Sequence, residues 1–114
     1  MTLNAFLTQL KSNPGEIEFS ETMQIIEAHY NFTPTAFTNG TLENAKNQNS
    51  GSCKLFAFAM DQKLTVEETL ACFGKYYFED VLINPDGKGH QNIRNFIKTG
   101  FNGLHFETFP LQKK

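Results

Sequence analysis

The chain has 114 residues, enough for one domain with a single core that buries roughly two thirds of its unfolded surface. Apolar residues make up 39%, and eight glycines bring the total into the ordinary globular range, which excludes a wholly disordered chain. With a formal charge of −2 there is no basic stripe for a nucleic acid, and no apolar run approaches the roughly 20 residues that span a bilayer.

In chain order, Leu3, Phe6, Leu7 and Leu10 share one helical face, Thr2 is placed to cap it, and Asn13-Pro14-Gly15 ends it. This stretch has neither a basic leader nor a small-residue cleavage site, so no secretory signal is expected. A second helix is expected after Ser20, with Glu21 in its first turn. Its buried stripe is Met23, Ile26 and Tyr30, broadened by Ile25. The β-branched and aromatic run Thr33 to Thr38 leads into Asn39-Gly40, a pair that accepts a type I′ turn. Such a turn sets Phe37 across from Leu42 and Thr38 across from Thr41. Glu43 to Gly51 is almost entirely polar, either a solvated loop or an ordered binding loop rich in amides.

Ser52 is expected to cap a third helix that is apolar nearly all round and hence central to the core. Cys53, Phe56, Ala57, Met60 and Leu64 form one face, and Leu55, Phe58 and Ala59 another. Thr65 and Glu68 spell a capping box for a helix with the stripe Val66, Leu70, Phe73 and Tyr77, interrupted at Gly74. Asn84-Pro85-Asp86-Gly87 is a turn. His90 to Thr99 reads as a helix with Ile93, Phe96 and Ile97 inward and Gly100 closing it. Leu104 to Glu107 alternates as a half-buried strand that can pair with residues 34–38, and Gln112 to Lys114 are expected to fray. No repeat or linker divides residues 1–114. The fold class is therefore α+β: about five short helices around a core rich in the chain's twelve phenylalanines, with a small antiparallel sheet.

Several clusters could carry chemistry. In Gly51-Ser52-Cys53-Lys54 a thiol in a first helical turn beside a lysine has the setting of an activated nucleophile, with His90 or His105 as base. Its register with Phe56, Ala57 and Met60 argues instead for packing, and both Cys53 and Cys72 are expected as reduced, buried thiols of a cytosolic protein. The phosphate-loop pattern is absent around Lys54, although a bare helix N-terminus still binds anions. From Asp86 to Phe96 lies the densest polar cluster. His90 and Arg94 are spaced to share a helix face and could clamp a carboxylate or phosphate, or else face solvent while Asp86 and Asn92 cap the turn and the helix. Neither C-x-x-C nor H-x-x-x-H occurs, so no metal and no cofactor is expected. The neighbouring carboxylates Glu67 and Glu68, or Glu79 and Asp80, diverge by about 100° on a helix and make no acid–base dyad. His29 suits a helix C-terminus, and His105 a surface.

The run Thr33-Pro34-Thr35-Ala36-Phe37 through Asn39-Gly40, Glu43-Asn44-Ala45, Gln48-Asn49 and Gly51-Ser52-Cys53-Lys54-Leu55-Phe56-Ala57-Phe58-Ala59 resembles the HopJ type III effector family. The resemblance continues through Thr69-Leu70-Ala71-Cys72-Phe73-Gly74, Asn84-Pro85-Asp86-Gly87, His90-Gln91-Asn92-Ile93-Arg94-Asn95-Phe96 and Gly103-Leu104-His105-Phe106, and so spans nearly the whole chain. It implies a bacterial protein exported by a type III apparatus into a plant host, and it brings no catalytic residues with it. The serine-free, helical start of the chain is unlike the disordered, serine-rich leader of such exports, so a bacterial cytoplasmic location is also expected.

The leading functional reading is a non-enzymatic binding module for a protein partner or a small anionic ligand. Its candidate residues are Asn39, Glu43, Asn44, Asn49, Lys54, Asp86, His90, Asn92 and Arg94. A small enzyme using Cys53 with His90, or His90 with Arg94, is the alternative. A housekeeping domain that self-associates through Tyr76, Tyr77 and Phe78 is a third. The expected state is a monomer or weak homodimer that binds neither nucleic acid nor membrane.

Overall fold

A computed structural model describes all residues from Met1 to Lys114. Thr2 accepts a hydrogen bond from the Ala5 N–H at 3.0 Å and starts helix α1 (Leu3–Ser12), which buries Phe6 and Leu10. Helix α2 (Phe19–His29) begins earlier than expected, because the Glu21 carboxylate reaches back to the Glu18 N–H at 3.0 Å. Its buried stripe is Thr22, Ile25 and Ile26, with Met23 half-buried. Tyr30 leaves the helix in extended backbone and opens strand β1 (Tyr30–Phe32).

Strands β2 (Phe37–Asn39) and β3 (Leu42–Asn44) form the expected hairpin in a different register. Asn39 faces Leu42 and Phe37 faces Asn44, so the two turn residues are Gly40-Thr41 rather than Asn39-Gly40. Gly40 supplies the positive φ of +62°, while Asn39 turns its side chain inward. The shift moves each pairing by two residues and so keeps the same side chains on the inner face.

Helix α3 (Ser50–Asp61) begins two residues before Ser52, and Leu55 to Ala59 are wholly buried. Met60 lies on the exposed side, at odds with the expected core stripe. Phe56 is the hub of the core, with ring centroids 4.9 Å from Phe96, 5.5 Å from Phe73 and 6.5 Å from Phe37. The capping box of helix α4 (Val66–Ala71) is present in both directions: Glu68 N–H to Thr65 Oγ1 at 3.0 Å, and Thr65 N–H to Glu68 Oε1 at 2.9 Å. Gly74, at φ +61°, ends that region, and a wider π-helical turn follows over Tyr76–Val81. It leaves Tyr76 exposed while Tyr77 and Phe78 pack on the core. Helix α5 (Gln91–Thr99) buries Asn92, Ile93 and Phe96, whereas Ile97 points to solvent.

Strand β4 (Leu104–Phe106) pairs antiparallel with β2, as expected, and sets Phe106 opposite Phe37. Gln112 and Lys113 do not fray. They belong to strand β5 (Leu111–Lys113), which pairs antiparallel with β1 and sets Lys113 opposite Tyr30. Both pairings lie in one continuous register, with seven positions between Tyr30 and Phe37 and seven between Phe106 and Lys113. The ladder is interrupted at Pro34 and Pro110, which have no N–H to donate. Glu107 N–H to Ala36 O at 3.0 Å and Thr33 N–H to Pro110 O at 2.8 Å bridge the gap. The Tyr30 hydroxyl donates to Asp61, accepts from Gln62 Nε2 at 2.7 Å, and lies near Lys113, whose Nζ is 3.6 Å from Asp61. Burial, followed by the bond to Asp61, raises the Tyr30 pKa to about 12.

A Cβ on Gly74 would lie 2.9 Å from both the Ile17 carbonyl oxygen and the Phe19 nitrogen, in a conformation that L side chains rarely adopt. Gly74→Ala should therefore cost about 2–3 kcal/mol, read from the urea unfolding midpoint. Gly15→Ala, where nothing lies within 4 Å, should shift it by under about 0.5 kcal/mol.

Candidate functional site

The start of α3 and the start of α5 meet the β2–β3 hairpin at a cluster of asparagines. Asn39 Nδ2 donates to Asn92 O at 2.7 Å and to Asn92 Oδ1 at 3.1 Å. Asn92 Nδ2 donates to Asn44 Oδ1 at 3.0 Å, and Asn44 Nδ2 returns a bond to Asn92 Oδ1 at 3.3 Å. Asn49 Nδ2 donates to the same Asn44 oxygen at 2.7 Å. Asn39, Asn44 and Asn92 are buried, so these three predicted binding residues build the site from behind, and of them only Asn92 borders the cleft. A single acceptor, Asn39 Oδ1, is left without a partner.

In front of this cluster opens a cleft of about 420 Å³. Asn49, Gly51 and Ser52 from the start of α3 form one wall, and His90, Gln91 and Asn92 from the start of α5 form the other. Phe19, Leu42, Phe73 and Ile93 supply apolar lining. Both N-cap residues, Asn49 at φ 53° and His90 at φ 55°, are left-handed, and neither caps its helix with its side chain. The first-turn N–H groups of two helices therefore lack a side-chain acceptor beside one cavity, where the positive ends of both dipoles act together. His90 Nε2 lies 3.0 Å from Asp80 Oδ2, and its ring centroid is 5.2 Å from that of Tyr76. The π-helical turn brings Tyr76 and Asp80 to the same imidazole.

The remaining predicted residues lie elsewhere. Arg94 does not join His90. Its Nε donates to Gly89 O at 2.6 Å and its Nη1 to Asn84 O at 2.8 Å and Pro85 O at 3.2 Å, which holds the 84–89 turn shut. Arg94 and Asp86 line a second groove of about 460 Å³, which shares only Gln91 with the cleft. Lys54 sits 3.7 Å from Glu27 and over the Phe32 ring at 4.9 Å. Glu43 pairs across the sheet with Thr38, whose other neighbour is His105, and stands on the outer face.

Cys53 is 2% exposed, and burial raises its pKa to about 11 despite the opposing charge of Lys54. Starting α3 at Ser50 moves Cys53 past the open N–H groups, since its own N–H bonds to Asn49 O at 3.0 Å. Cys53 thus packs in the core, as its register with Phe56 and Ala57 predicts, and lacks the exposure of an activated nucleophile. Sequence reasoning missed Ser52 and Gln91 as cleft residues and Asp80 as the partner of His90. The first two follow from where the helices start; no spacing rule marks Asp80, because the π-helical turn sets its direction.

The fold and site define a small α+β domain with a cleft between two helix N-termini. The chain belongs to the HopJ type III effector protein family, whose model matches residues 3–111. It is also similar to a solved structure, the crystal structure of the unknown-function protein VPA0580, at 54% identity and a TM-score of 0.97, covering 100% of this chain and 95% of that one. No curated protein matches it. No helix is long and apolar enough to cross a membrane.

Asn92→Ala strips partners from Asn39 and Asn44 together and should cost about 3 kcal/mol in urea unfolding. The thiols give a pH signature. Burial raises Cys53 to about 11 and Cys72 to about 12, so the unfolded chain releases these protons first, from about pH 8.5. Stability should therefore be full below that pH and fall steadily up to about pH 11, and Cys53→Ala should make the fall shallower in an unfolding series.

Proposed function

We propose that the protein is a non-enzymatic binding module whose cleft between α3 and α5 takes a small anion carrying an apolar body. The observation that carries this reading is the convergence of two helix starts without side-chain caps, together with His90, on one cavity. Backbone N–H groups aimed along two helix axes suit a carboxylate or phosphate, and the His90 ring beside them offers a further hydrogen-bonding group. Phe19, Leu42, Phe73 and Ile93 suit the apolar remainder of such a molecule. The buried Cys53 removes the nucleophile from the enzymatic alternative. Membership of a type III effector family supports synthesis in the bacterial cytoplasm followed by export, with the ligand met inside a host cell.

Inorganic sulfate is a suitable probe because it is a compact oxyanion of fixed charge near neutral pH. Titrated into ¹⁵N-labelled protein, it should shift the amides of Ser50 to Ser52 and Gln91 to Ile93 most. His90→Gln should weaken its affinity roughly two- to fivefold, read from the same amide shifts. Shifts spread over surface lysines, or none at these six amides, would overturn the reading.

A further inference from the structure

On the far side of α5 lies the groove that holds Asp86 and Arg94. Leu82, Ile83 and Ile97 are 51%, 69% and 45% exposed, and they are the only exposed leucine, isoleucine or valine side chains of the chain. Leu82 and Ile97 line the groove, with Val81 and Pro85 beside them; Ile83 follows Leu82 directly. The same lining carries charges of both signs, Asp86 against Arg94 and Lys98. None of the three forms an ion pair within the chain: the Arg94 guanidinium is held by neutral carbonyl groups, and the four ion pairs of the molecule lie elsewhere.

We infer that this groove docks a second copy of the chain in a two-fold dimer, with Leu82, Ile83 and Ile97 meeting their equivalents and Asp86 of each copy reaching Lys98 of the other. The charge pattern selects this occupant. An acidic segment would satisfy Arg94 and Lys98 but oppose Asp86, and a basic one would do the reverse. A two-fold contact requires one patch to complement itself, so that each residue meets its counterpart's partner, and this patch carries both halves of such a pair. The Tyr76-Tyr77-Phe78 surface is not the contact, since Tyr77 and Phe78 pack on the core and Tyr76 lines the cleft. With three aliphatic side chains per copy the interface is small, so the dimer is weak and forms at high protein concentration. The groove shares only Gln91 with the cleft between α3 and α5, and the two readings stand or fall independently.

Sedimentation equilibrium on the full chain, from about 10 μM to about 1 mM, tests the assignment. Wild type should pass from monomer to dimer, and Ile97→Asp should weaken association at least roughly tenfold. Asp86→Lys and Lys98→Glu should each weaken it, and the double variant Asp86→Lys/Lys98→Glu should restore it. All three positions are exposed, so unchanged unfolding midpoints confirm intact folds. Monomer throughout the range, or a dimer indifferent to Ile97→Asp and to the charge reversals, would overturn the assignment. Arg94 is left unchanged because it holds the 84–89 turn.

Discussion

Buried amides must find partners, and Asn39, Asn44 and Asn92 find them largely in one another, with Asn49 joining from a more exposed edge. Asn39 comes from β2, Asn44 from β3, Asn92 from the first turn of α5 and Asn49 from the residue before α3. Apolar contacts between a helix and a sheet tolerate sliding; hydrogen bonds between planar amides in a low-dielectric interior do not. The junction therefore fixes how the two helix starts lie relative to the hairpin. It sets the hairpin register as well, because Asn39 can reach Asn92 only when the turn is made by Gly40 and Thr41.

What the junction positions is unusual in its local chemistry. A helix start normally hides its open donors under a serine, threonine or aspartate, as Thr2 and Thr65 do in this chain. Asn49 and His90 instead adopt left-handed backbone, which turns a capping side chain away and leaves the donors without a side-chain acceptor. That conformation is costly for histidine and persists because its surroundings hold it: Asp80 and Tyr76 on one side and the Asn92 network on the other. Strain of this kind gathers where a protein keeps a surface ready for something else. The π-helical turn over Tyr76–Val81 belongs with it, since a regular α-helix would direct Asp80 differently.

Much of the architecture was legible in the residues. The capping box at Thr65 and Glu68, the stop at Gly74, the Asn84–Gly87 turn and the β2–β4 pairing all follow from local chemistry. Three errors share a cause. Tyr30 fits a helical stripe with Ile26, Met60 fits one with Cys53, and Ile97 fits one with Ile93, yet none lies in the stripe assigned to it. Periodicity states which residues could face inward, whereas tertiary packing decides where a helix stops and how wide its buried band is. The candidate site was named in part and misread in role. The amides of Asn39, Asn44 and Asn92 look like a ligand-facing set because polar residues favour loops, but their mutual pairing draws them inside. The polar run Gln112 to Lys114 hides a strand because main-chain pairing with β1 needs no apolar side chain.

The interrupted ribbon of residues 30–39 against 104–113 has a kinetic meaning. Helices α1 to α5 and the β2–β3 hairpin close over short stretches of chain, whereas this ribbon joins segments about 70 to 80 residues apart, where loop closure is slow to be repaid. During synthesis the outer edges of β1 and β2 stay unpaired until residues beyond Leu104 emerge from the ribosome. Until then the main chain of β1 lacks its β5 partner, and Phe37 lacks its cross-strand neighbour Phe106. Open strand edges are templates for pairing with other chains, so closing this ribbon removes a route to aggregation.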